Sequence, residues 1–261
     1  MGRMYAFEHQ LTLEAAYGTL LQRKRRVLHR RVAESLERLY PEQVDARLSR
    51  LAHHWEQAGD RERAVDYLWR AGRQAAAQYA NAEALVLLTR ALDLVPEGDW
   101  ETRYGLLLDR ERVYHRQGDR EAQTRDLASL RELADRSEDV GRRVVVALRR
   151  AEQAALTHST SAAVAAAEEA RAFAQMLDDP RLEALAHLRY GQALADSGAA
   201  SVPALRHLLQ ALALVETSDD RPLEAEILYE MGTIMGREAY GEGRDLIRRA
   251  LAIYRQVGDR A

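Results

Sequence analysis

Lys24 is the only lysine in the chain, against 37 arginines. A phosphate-binding loop needs a lysine behind a run of glycines, and Lys24 instead follows Leu21-Gln22-Arg23, so no nucleotide loop is encoded here. Gly241-Glu242-Gly243 has neither a third glycine nor a preceding strand and reads as a hairpin turn. Cysteine is absent, which removes thiolate nucleophiles, thiolate zinc sites and disulfides together and fits a reducing compartment. Glu111/His115 and Glu183/His187 each put a carboxylate and an imidazole one helical turn apart. A zinc site needs three or four converging ligands, and neither pair has a third partner nearby in sequence, so both read as surface pairs or packed histidines. His53 and His54 are adjacent and diverge by about 100° around a helix, a poor arrangement for holding one ion. Ser159, Thr160 and Ser161, beside His158, stand where a helix should start, and N-capping accounts for them without a nucleophile. Asp178-Asp179 and Asp219-Asp220 read as caps in the same way. The residues therefore predict no catalytic, cofactor or metal site, and the chain is not expected to be an enzyme.

The elements that carry these residues are helical. Of the 261 residues 47% are hydrophobic, yet Phe occurs twice and Trp three times, so the apolar mass is mostly Ala and Leu, which favour helix. Apolar residues recur at helical spacing, as in Leu85, Leu88, Leu92 and Val95, or Leu205, Leu208, Leu209, Leu212 and Val215. Period-two alternation is missing, and only Tyr5–Phe7 hints at strand. Gly59-Asp60, Gly118-Asp119 and Gly258-Asp259 each join a left-handed C-terminal position to an N-cap, and Asp179-Pro180 joins an N-cap to a first-turn proline. Such short breaks turn the chain back on itself. No apolar run reaches the roughly 20 residues a bilayer span needs, and the N-terminus lacks a signal-peptide core, so the expectation is a cytoplasmic protein without a membrane partner. The segment Arg23–Arg31 is basic, but Val27, Leu28, Val32 and Leu36 lie at amphipathic spacing within it. Its arginines then form the wet face of a packed helix rather than a track for nucleic acid.

The helical hairpins repeat. Aligning residues 84–96, 204–216 and 243–255 superposes Ala91, Ala211 and Ala250, each followed by Leu, and weaker copies at 123–135 and 163–175 bring Leu130 and Ala170 into register. The successive steps are 39, 40, 41 and 39 residues, a period of about 40. Ala84, Leu88, Ala91, Leu92 and Pro96 match the second-helix pattern of tetratricopeptide (TPR) repeats, Tyr114 fits an aromatic slot, and Gly191 and Gly232 fit the small-residue slot of a first helix. The chain thus resembles TPR proteins, and the resemblance implies an all-α, right-handed superhelical solenoid of antiparallel helical hairpins.

The N-terminal part carries a second resemblance. Phe7, His9, Leu11, Glu14, Tyr17, Leu20, Leu21, Arg26, Leu28 and His29, then Ala52, His53, Gly59 and Ala64, are similar to the junction in bacterial STAND-class signal-transduction ATPases, such as LuxR-type regulators and ATPase-linked cyclases. There a winged-helix module feeds into a repeat array. On this resemblance residues 1–40 are the end of a winged-helix module with its connecting helices. Residues 41–261 are the repeat array, expected to be cut at its C-terminus because Gly258-Asp259 announces another helix. The implied role is a non-enzymatic sensor that binds a protein, a peptide or a small inducer and regulates an attached ATPase module; a passive protein–protein scaffold is the alternative. In such arrays the first helices line the concave wall. The register places Trp69, Arg73, Arg112, His115, Arg116, Gln192, Tyr229, Thr233 and Arg237 there, and an Arg-rich groove would suit an acidic or phosphorylated ligand.

Overall fold

A computed structural model describes residues 17–198, 201–216, 220–236 and 240–258. The chain divides into two compact units, Met1–Val113 and Tyr114–Ala261. The described residues contain twelve α-helices, two short 3₁₀ turns and no strand. The first unit holds α1 (Gln22–Leu39), the turns Pro41–Gln43 and Asp45–Arg47, α2 (Leu48–Ala58), α3 (Arg61–Ala77) and α4 (Asn81–Leu94); α5 (Trp100–Gln117) begins in it. The second holds α6 (Arg120–Ser137), α7 (Val140–Leu156), α8 (Thr160–Ala174), α9 (Pro180–Asp196), α10 (Ser201–Glu216), α11 (Arg221–Met235) and α12 (Tyr240–Val257). The fold is all-α, with sequence neighbours packed as antiparallel pairs: α3 with α4, α7 with α8, α9 with α10 and α11 with α12.

The punctuation works as its chemistry requires. Gly59, Gly118 and Gly258 adopt φ of 78°, 75° and 79°, the left-handed region that a side chain resists. The aspartates that follow the first two, Asp60 and Asp119, accept hydrogen bonds from Arg63 N and Ala122 N, and Asp179 accepts from both Arg181 N and Leu182 N. Ser159 occupies the N-cap position of α8 but makes no side-chain capping bond. Gly241-Glu242-Gly243 is not a hairpin turn; it forms the first turn of α12.

The repeat register is a packing register. Ala91, Leu130, Ala170, Ala211 and Ala250 are all fully buried. A Cβ added at Gly72, Gly191 or Gly232 on the first helices would lie 2.8 Å from Leu88, 3.0 Å from Leu208 and 2.7 Å from Ile247. Those three partners hold the same position in the aligned segments, so a glycine meets a branched aliphatic at one point of each pair. In the α7/α8 pair the core is made of alanines, including Ala151, Ala163 and Ala167, and the helices close on methyl groups instead.

The first unit is tied together by Glu37. Its Oε1 accepts hydrogen bonds from the Trp55 indole at 2.9 Å and the Tyr67 hydroxyl at 2.7 Å, linking α1 to α2 and α3. Burial, then the bond to Glu37, pushes the Tyr67 hydroxyl up to about 12. The amphipathic reading of α1 holds only partly: Ala33 is its one buried residue among those described, while Val27, Leu28 and Val32 remain exposed. The suggested strand at Tyr5–Phe7 and the junction residues Phe7, His9, Leu11 and Glu14 lie outside the described residues.

Candidate functional site

In the second unit the end of α5 and the C-terminal halves of α7, α9 and α11, the last three each the first helix of its pair, enclose a cleft of about 360 Å³. α9 packs beside both α7 and α11, so residues one turn apart on each face the same space. His115 enters from α5, Glu152 from α7, Arg189 and Gln192 from α9, and Glu230 and Thr233 from α11. His115 Nε2 lies 3.5 Å from Glu152 Oε1, and its Nδ1 lies 3.3 Å from the amide nitrogen of buried Gln123, which donates to it. That assigns the Nε2–H tautomer, facing Glu152. Glu152 also accepts from Arg149 at 2.6 Å. On the opposite wall Arg189 donates to Gln192 Oε1 at 2.8 Å and to Glu226 Oε1 at 2.7 Å, while Gln192 donates to Glu230. Burial raises the pKa of Glu230, with the Gln192 bond opposing it and the Glu226 and Asp196 charges adding to it. Glu152, Asp196 and Glu230 line the cleft against Arg189 and His115. The lining is therefore richer in acid than in base.

Of the residues placed on the wall by register, the cleft gathers His115, Gln192 and Thr233. Tyr229 is exposed beside it and contributes a backbone carbonyl to the Thr233 hydroxyl at 3.0 Å; Arg116 is exposed and outside the lining. Arg237 lies outside the described residues. Trp69, Arg73 and Arg112 belong to the first unit and converge on a residue that the register did not single out, Asp109 of α5. The Trp69 indole donates to Asp109 Oδ2 at 2.7 Å, Arg73 Nε stands 3.5 Å from the same oxygen, and Arg112 donates to Oδ1 at 3.3 Å. The indole lies against Gly105, where an added Cβ would run into its ring. Trp69 is thus a helix-packing residue with one edge on a hollow beside Val65 and Pro96, and both arginines spend charge on Asp109. Arg189 and Glu230 stand one turn from the chosen Gln192 and Thr233, but nothing in one sequence marks which turn faces inward, and no chosen position lies on α7, the helix of Glu152.

Five other histidines form two groups. His187 is buried, its Nδ1 3.0 Å from that of His207, and the rings stack with centroids 5.2 Å apart. Burial first, then His207 and Arg171, pushes His187 down to about 4. It is a packed core histidine. His53 and His54 do not diverge as their adjacency on α2 predicts. They meet His29 of α1, and one ligand nitrogen from each of the three lies within 4.8 Å of the others. Burial, then the His29, His53 and Arg50 charges, lowers His54 to about 4; burial and His53 lower His29.

No helix among the described residues is long and apolar enough to cross a membrane. No family model matches the chain. An uncharacterized protein of Rhizobium meliloti (strain 1021) is 36% identical over 90 residues, covering 34% of this chain and 9% of that protein, so the chain spans a small part of that relative's length. Among solved structures, Rap protein complexed with competence and sporulation factor is similar at a TM-score of 0.65, with 15% identity over 95% of this chain and 71% of that one. A signal transduction ATPase with numerous domains (STAND) and a TPR sensor, from Pyrococcus horikoshii, gives 0.62, with 15% identity over 92% of this chain and 36% of that one. BtubC from P. vanneervenii gives 0.63, with 14% identity over 93% of this chain and 94% of that one. At such identities the likeness is one of fold, and the fold is that of TPR-like helical-repeat proteins.

Proposed function

We propose that the chain is a non-enzymatic sensor module of a larger signalling ATPase, and that the cleft of its second unit takes a protein or peptide partner through a cationic group. One observation carries this: four helices, α5, α7, α9 and α11, present polar side chains to one cleft, and its carboxylates outnumber its arginine. A lysine, arginine or terminal amine would find Glu230 and Asp196 as counter-charges, with Gln192 and Thr233 as hydrogen-bonding partners. The similarity in fold to a STAND ATPase with a TPR sensor, and to Rap protein in complex with competence and sporulation factor, supports a binding arm of this kind. A partner acts as a signal only if it binds the resting and active states of the ATPase unequally. The test places a photo-reactive amino acid at Thr233 of the full-length protein. A crosslinked partner, lost with Glu230→Lys, and an ATP turnover that changes when that partner is added are expected; unchanged turnover with the partner bound would refute the sensor role.

A passive scaffold is favoured by a different feature. Leu205, exposed Leu209, Met231, Met235 and Leu246 line a shallow apolar hollow between α10, α11 and α12. Mass that grows with concentration in light scattering, and reverts with Leu209→Glu, would support assembly through that face.

A further inference from the structure

The geometry points to a three-histidine site for a divalent transition-metal ion, formed by His29, His53 and His54 where α1 packs on α2. The three imidazoles make a near-equilateral triangle, with ring centroids 5.1 Å (His29–His54), 5.5 Å (His53–His54) and 5.7 Å (His29–His53) apart. The Nδ1 atoms of His29 and His54 face each other at 2.8 Å, and one donor nitrogen from each ring lies within 4.8 Å of the other two. In a tetrahedral zinc site with bonds of about 2.0–2.1 Å, ligand nitrogens stand about 3.4 Å apart. The His29–His54 pair is closer than that and no pair of donor nitrogens is more than 4.8 Å apart, so side-chain rotation brings all three onto one ion, and the exposure of His53 leaves its ring room to swing inward.

The surroundings set the ligating atom. His29 Nε2 is 2.9 Å from the Tyr17 hydroxyl, whose oxygen can accept its proton and leave Nδ1 as a lone pair directed at His54. A ring oriented by a hydrogen bond on its far nitrogen is the usual arrangement for a metal-bound histidine. Three neutral nitrogen donors favour zinc, copper, nickel or cobalt over magnesium or calcium, which take oxygen ligands. The fourth position would be water, and the nearby Arg50 charge opposes an added cation, so binding weaker than at a closed four-ligand structural site is expected. Bound metal would staple α1 to α2.

The experiment titrates Zn²⁺ into the tag-free full chain by calorimetry, alongside His29→Gln, His54→Gln and, as a control for the other histidine pair, His207→Gln. The expected result is one Zn²⁺ per chain, weakened about tenfold or more by either of the first two changes and untouched by the third. Absence of stoichiometric binding, or equal binding by all four proteins, would overturn the proposal. Because a substitution at His29 or His54 could disturb the α1–α2 contact, X-ray absorption at the zinc edge of the unmodified protein provides a second measure. It should show three imidazole ligands, and fewer than three would overturn the site.

Discussion

Gly232 is where the packing of the repeat can be tested by a single methyl group. In an open helix interior, replacing Gly with Ala gains about 1 kcal/mol of helix preference. Here an added Cβ would lie 2.7 Å from the Gly243 carbonyl oxygen and from Ile247 Cγ1, and 3.1 Å from Ile247 N. Ordinary contact begins near 3.4 Å, and two of the three atoms are backbone, so the change has to move α12 bodily. Overpacking of this kind costs about 1–3 kcal/mol, which offsets or exceeds the propensity gain. Gly232→Ala should therefore be neutral or destabilising by up to about 2 kcal/mol, a drop of several degrees in melting temperature at about 2–4 °C per kcal/mol. Gly191→Ala, whose tightest contact is 3.0 Å to the Leu208 side chain, should cost less. Gly241→Ala, in the first turn of α12 with nothing within 4 Å, should be neutral or slightly stabilising. Repeat arrays need not unfold in one step, so native-state hydrogen exchange of α11 and α12 is the sharper assay. If Gly232→Ala protected those amides as much as Gly241→Ala does, the close approach of the two helices would be refuted.

Further outcomes follow from other contacts. Asp109→Ala leaves the Trp69 indole N–H without its acceptor and should cost about 1–3 kcal/mol, with a shifted tryptophan emission; an unchanged denaturant midpoint would contradict the role given to Asp109. Leu208→Ala empties a fully buried site against Gly191 and should cost about 2–5 kcal/mol in chemical denaturation. His187 sits at about 4 when folded against 6.5 when unfolded, so between those values the unfolded chain binds the extra proton. The contribution of His187 is thus complete above about pH 6.5 and is lost as pH falls toward 4, and His187→Leu should flatten that part of the stability profile measured by urea titration. Arg189→Ala removes the donor shared by Gln192 and Glu226 and should raise the pKa of Glu230 further, readable by carboxyl NMR titration.

The helical period, the Gly-Asp breaks and the 40-residue register were legible because each rests on local chemistry: a left-handed glycine, a capping aspartate, a small residue where two helices touch. The wall positions were legible only through the register, which fixes a helix face and not the distance between faces. Three of its positions, His115, Gln192 and Thr233, line the cleft, but it could not show that Arg73 and Arg112 are drawn to Asp109, a residue of no special type in an unremarkable run. The same gap explains the histidines. The angle between His53 and His54 around α2 is a local quantity, whereas their meeting depends on His29 approaching from α1, a contact 24 and 25 residues away in sequence. The acidic lining was hidden by composition, since arginine is abundant everywhere and its neutralisation by Glu226 or Asp109 appears only in three dimensions.

Fluorescence anisotropy with a set of labelled peptides, matched in length and varied from strongly basic to strongly acidic, addresses the cleft most directly. Saturable binding of basic members, weakened at least tenfold by joint Asp196→Lys and Glu230→Lys substitution, corresponds to losing about 1.4 kcal/mol or more and is the predicted result. Preference for acidic peptides, or basic-peptide binding that survives both charge reversals, would contradict it.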